Sequence, residues 1–107
     1  MRVGALVRVS PNGKAEPLHT VFDLPDRVEI LIDLPLADEK SLTVSLYQKT
    51  LKVRAKLREK ILIGGYEVEE YVKIMKIPED VDEEYELEIV NREGPIVVIV
   101  FPKAARP

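Results

Sequence analysis

The sequence has no cysteine, no tryptophan and a single histidine, His19. Without cysteine there can be no disulfide, no thiolate zinc site and no cysteine nucleophile. One imidazole cannot build a multi-histidine metal centre. A serine or threonine nucleophile would have to share His19, which stands at the start of a predicted strand and is expected to be structural. Glycine is scarce, and Gly64-Gly65 lies in no phosphate-loop spacing, so it is expected to make a turn. The acidic cluster Glu79, Asp80, Asp82, Glu83 and Glu84 lacks the alternating ligands and central glycine of a calcium loop, which leaves a solvated turn. No enzyme activity, metal or cofactor is expected.

Positive charge is also in short supply. Sixteen Lys and Arg face nineteen Asp and Glu, for a formal net charge of −3, which argues against nucleic acid as a partner. The one basic stripe, Lys52/Arg54/Lys56/Arg58, is expected to be a solvated sheet face. No apolar run approaches the roughly 18 residues of a membrane span. The start, Met1-Arg2-Val3-Gly4, lacks the basic and apolar regions of a signal peptide, so a cytoplasmic location is expected.

What the chain does contain is Val, Ile and Leu in quantity. At 46% hydrophobic and 33% charged residues, 107 residues are expected to fold as a single domain, 1–107, around one core. β-branched richness favours strands. Low Asn, Gln and Met beside abundant Glu and Lys resembles a thermophilic composition.

Apolar alternation is interrupted by turn signals about every ten residues. A strand at 3–9 meets Ser10-Pro11-Asn12-Gly13-Lys14, predicting a hairpin into 19–24. Further strands are expected at 27–34, 42–47, 51–57 and 71–77, with a short apolar island at 61–63. The last two fall at 85–90 and 96–101. No window holds a helical period over three turns. The pattern predicts an all-β fold, an antiparallel β-sandwich of eight or nine strands. Residues 1–20 would form an N-terminal strand and hairpin, and 21–103 the core.

Four segments, in order, carry a resemblance. They are Val28-Glu29-Ile30-Leu31-Ile32-Asp33-Leu34-Pro35, Leu51-Lys52-Val53-Arg54-Ala55, Tyr71-Val72-Lys73-Ile74-Met75-Lys76-Ile77-Pro78, and Gly94 through Lys103. Over residues 21–103 the chain resembles the α-crystallin domain of the small heat-shock proteins, an immunoglobulin-like sandwich that CS-type co-chaperone domains share. Leu36 stands where that family usually has glycine, and Lys73 where it often has arginine. The 58–70 connection is short for the swapped strand of many prokaryotic members. The family's long N-terminal arm and C-terminal Ile-x-Ile/Val motif have no counterpart here, so a monomer or homodimer is expected rather than a large shell.

The resemblance implies an ATP-independent chaperone of the stress response that binds partly unfolded polypeptides. The alternative it leaves open is a CS-type co-chaperone or adaptor with one protein partner. Polypeptide would enter a groove lined by Leu42, Val44 and Leu46 on one edge and by Leu87 and Ile89 on the other. A second candidate is an outward apolar patch of Leu31, Ile96, Val98 and Val100, the last three at outward positions of the final strand that the family commonly keeps polar. Either the N-terminal strand, through Leu6 or Val7, or a partner would cover it. Intramolecular cover is the favoured expectation.

Overall fold

Alternation along Arg27–Asp33 buries Val28, Ile30 and Ile32 and turns Glu29 and Leu31 outward. The same two-residue period shapes most of the chain. The computed structural model describes residues 6–91 and 94–103, the first three by backbone alone. The expected strand residues 3–5, the side chains of Leu6 and Val7, the turn centre 92–93 and the C-terminal 104–107 lie outside that description.

Nine strands form among the described residues: β1 (Leu6–Val9), β2 (Lys14–Pro17), β3 (His19–Asp23), β4 (Arg27–Asp33), β5 (Thr43–Tyr47), β6 (Thr50–Ile63), β7 (Tyr66–Lys76), β8 (Glu86–Asn91) and β9 (Pro95–Pro102). A 3-10 turn at Glu39–Ser41, capped by the Asp38 side chain on the Lys40 N–H, leads into β5. One sheet has the order β1-β2-β7-β6-β5 and the other β3-β4-β9-β8. Their inner faces enclose Ile30, Ile32, Val97, Ile99 and Phe101 on one side and Leu51, Val53 and Tyr71 on the other. No helix among the described residues is long and apolar enough to cross a membrane.

The all-β sandwich expected from the alternation is therefore present, and its strands pair antiparallel with one exception. Strand β2 runs parallel to β7, with Lys14 opposite Glu70 and Ala15 opposite Tyr71. The Asn12-Gly13 turn is found as expected, with Gly13 at φ 84°, but it closes β1 onto β2 and not onto residues 19–24. Pro17 has no N–H to continue the ladder. The chain leaves the first sheet there and re-enters the second as β3, paired along its whole length with β4.

Two contacts hold β2 in place. The Gly13 carbonyl accepts the N–H groups of Glu69 (2.8 Å) and Glu70 (3.2 Å). The Lys73 ammonium, 3% exposed as a residue, donates to the Glu16 carboxylate at 3.1 Å and the Pro17 carbonyl at 3.2 Å. Nearby, burial and then the Lys73 charge push the His19 imidazole below its ordinary range, opposed by Glu16.

The apolar island at 61–63 is not a separate strand. It is the far half of β6, which at roughly 3.4 Å per residue spans about 48 Å of a molecule 53 Å long. Between Lys56 and Ile61 the register slips. There the Asp38 N–H donates to the Lys56 carbonyl and the Arg58 N–H to the Leu36 carbonyl, so β6 briefly pairs with the 36–38 segment. Beyond the slip, β6 and β7 form a projecting hairpin closed by Gly64 (φ 58°) and Gly65 (φ 87°). The expected start of β7 at residue 71 moves back to Tyr66; within this added stretch only Val68 is buried, and its neighbours Tyr66, Glu67 and Glu69 are exposed, so no run of alternation marks it.

The 34–38 corner packs directly on the entry to β9. Leu36 has a left-handed backbone (φ 66°) although it is not glycine. Gly94 (φ 115°) lies so close that a Cβ on it would stand 2.7 Å from the Leu36 nitrogen and 2.9 Å from the Pro35 Cα. The Leu34 N–H donates to the Pro95 carbonyl at 2.9 Å, and the Tyr71 hydroxyl donates to the Pro35 carbonyl at 2.7 Å. Burial, and secondarily the charge of Asp33, push the Tyr71 phenol up to about 12.

Candidate functional site

Strands β5 and β8 are the last strands of their respective sheets, so each presents unpaired backbone groups along one side. Two ties place these edges on the same flank. At one end the Asn91 side-chain amide donates to Glu39, just ahead of β5. At the other, the Lys49 ammonium in the β5–β6 turn donates to the Val81 carbonyl, and the Ile77 N–H donates to the Lys49 carbonyl at 2.9 Å. That turn runs through Gln48 (φ 49°) and Lys49 (φ 62°), both left-handed.

The register decides which side chains face inward between the edges. Val44 lies opposite Val53 and Leu46 opposite Leu51, so both point to the core side, and Leu42 precedes them on the same face. All three are half-buried and pack on the core. Leu87 pairs with Ile99 and Ile89 with Val97, which places them on the inner face of β8. They nevertheless remain 47% and 42% exposed, because no strand among the described residues lies beyond β8 to cover them. Glu86 and Glu88 alternate with them and point to solvent. At the Lys49 end, Tyr85 closes the space by packing its ring on Phe101, with centroids 5.7 Å apart.

Of the five residues named from the sequence as a groove, Val44, Leu46, Leu87 and Ile89 are thus edge-strand residues on inward faces, and Leu42 packs on the core just ahead of β5. Periodicity could not reveal the Asn91–Glu39 and Lys49–Val81 ties, because each joins positions more than thirty residues apart through polar side chains without a pattern.

The second candidate fares differently. Leu31 lies opposite Val98, with Ile96 and Val100 two residues to either side on β9. All four sit half-buried on the outer face of the four-stranded sheet. The expected cover by the N-terminal strand is not what the topology gives: β1 and β2 are strands of the opposite sheet. Pro17 and the latch of Gly13 onto β7 send the hairpin there. The basic stripe lies on the outer face of that sheet, where Arg54 makes a 2.7 Å pair with Glu70.

Similar folds are found among solved structures. HSP18.5 from E. histolytica superimposes with a TM-score of 0.67 at 15% identity, over 86% of this chain and 91% of that one. Heat shock protein 16.0 from Schizosaccharomyces pombe gives 0.68 at 16% identity, over 91% and 77%. The chain has the α-crystallin fold. A small heat-shock protein from Xylella fastidiosa gives a TM-score of 0.66 at 16% identity, over 85% of this chain and 88% of that one. No family model matches the chain, and no curated protein matches it in sequence. The likeness therefore lies in the path of the α-crystallin fold, in agreement with the resemblance carried by the four sequence segments.

Proposed function

We propose that the protein is an ATP-independent chaperone that holds partly unfolded polypeptides in the groove between β5 and β8. The observation that carries this reading is the exposure of Leu87 and Ile89 on the inward side of a free strand edge, facing the half-buried Leu42, Val44 and Leu46. An extended client segment adds its backbone to an edge and drops alternate apolar side chains between the two rows. Each half-exposed apolar side chain that becomes buried contributes about 1 kcal/mol, which makes capture weak and reversible. Apolar contact sets no demand on client sequence beyond apolar alternation.

The test is light scattering from two unrelated heat-denatured client proteins, with wild type and with a Leu87→Ser/Ile89→Ser variant. Wild type is expected to suppress aggregation of both clients without nucleotide, and the variant to lose most of that protection while staying folded with a lowered melting temperature, since each side chain is also about half buried. Protection of neither client would discard general holding and leave an adaptor for one dedicated partner. Full protection by a folded variant would discard the groove.

A further inference from the structure

The outer faces of the two sheets carry opposite charge beside matching apolar strips. On the five-stranded sheet, Lys52 and Lys56 alternate with the buried Leu51, Val53, Ala55 and Leu57, so they point outward, and neither forms an ion pair among the described residues. Beside this basic row, β7 turns Val72 and Ile74 to the same face. The register sets Ile74 next to Lys52 and Val72 next to Arg54. Ile74 is 60% exposed.

The four-stranded sheet shows the converse. Glu86 and Glu88 form an acidic row on β8, likewise without an ion pair among the described residues, next to Val100 and Val98 of β9. Leu31 and Ile96 extend the apolar strip across β4 and β9. Glu29, further along, is already matched by Arg27 at 2.7 Å. Each face is thus one charged row beside one apolar strip, with opposite signs.

We propose that the outer face of the five-stranded sheet docks on the outer face of the four-stranded sheet of a second copy. Lys52 and Lys56 would oppose Glu86 and Glu88, and Val72 and Ile74 would meet Val98 and Leu31. A two-fold dimer through either face would set like charges against each other, which electrostatic complementarity disfavours. The contact is heterologous, so association continues head to tail into rings or open chains and does not stop at a dimer. Apolar burial and the opposed charged rows each supply part of the attraction and neither holds the contact alone, so the charged rows set its orientation, on-rate and salt dependence. It goes beyond the groove reading, since it uses sheet faces and leaves the β5 and β8 edges open.

Sedimentation velocity over a range of protein concentrations tests it. At about 0.01 M salt, species larger than a dimer are expected to grow with concentration. They should shrink toward monomer as salt approaches about 1 M and the screening length falls from roughly 30 Å to roughly 3 Å. The Lys52→Glu/Lys56→Glu and Glu86→Lys/Glu88→Lys variants are each expected to stay monomeric alone, and an equimolar mixture to associate again. Matched circular dichroism and melting curves establish that both are folded. Should one fail to fold, the salt dependence of wild type decides. A wild type that is monomeric at every concentration or stops at a dimer overturns the proposal. So does a reversed variant that assembles like wild type, or a mixture that stays monomeric.

Discussion

An ammonium inside a sandwich is tolerated only when strong acceptors surround it, and Lys73 has the Glu16 carboxylate and the Pro17 carbonyl. The two partners are unequally placed. The Lys73 side chain is 4% exposed and that of Glu16 is 30% exposed. Glu16→Ala therefore strands a buried charge and is expected to cost about 2–3 kcal/mol, whereas Lys73→Met leaves a carboxylate that water can reach and is expected to cost about 1 kcal/mol or less. Urea unfolding of both variants checks the order, and equal losses would contradict it. Tyr71 makes the second prediction at this scale. With its phenol at about 12 in the folded protein and at the ordinary 10 unfolded, its contribution is complete below pH 10 and is lost as pH rises through 12. An absorbance titration is expected to show a late-ionising tyrosine that Tyr71→Phe removes. The same variant is expected to lose about 1–2 kcal/mol, since the Pro35 carbonyl keeps no hydroxyl donor.

Among the elements, the β6–β7 hairpin differs most from the rest. Its outer part holds Leu62 at 73% exposure and Tyr66 at 45%, and it begins where the ladder slips after Lys56. Few apolar contacts and solvent-exposed backbone bonds mark a region that opens locally. Amide hydrogen exchange is expected to be fast across residues 61–67 and slow in β4 and β9, and equal protection would refute this. The arm was also the element least legible in the sequence. Residues 27–33 and 96–101 announced themselves because one face is buried and the apolar period is strict. Residues 58–70 carry Arg58, Glu59, Lys60, Glu67 and Glu69 exposed, and the inward-packed Ile61, Ile63 and Val68 are split by the Gly64-Gly65 turn, so no alternation runs long enough to mark two strands.

At the scale of the whole molecule, the two-sheet architecture and the inward faces of Leu42, Val44, Leu46, Leu87 and Ile89 followed from alternation, since both are consequences of burial. Which strands lie at the edges did not, because edge and centre are properties of strand order and strand order is non-local. The N-terminal hairpin shows the limit well. Asn12-Gly13 announced a turn, yet the sheet it joins was settled by Pro17 and by a lysine more than fifty residues away. That placement leaves the patch of Leu31, Ile96, Val98 and Val100 uncovered by β1 and β2, so the expected intramolecular contact is not made and the four side chains stay half-buried at the surface.

The corner where Gly94 presses on Pro35 and Leu36 bears on how this chain can change over generations. A side chain at 94 would collide with main-chain atoms, so no replacement at 35 or 36 that preserves the corner makes room for it. Position 36 obeys a different rule. Its left-handed backbone penalises most residues by roughly 1–2 kcal/mol, a tax leucine bears here while packing against the core. Descent can therefore exchange the residue at 36 step by step, while 94 is closed to every residue but glycine until the corner itself is rebuilt. Any sequence that keeps this corner keeps that constraint with it.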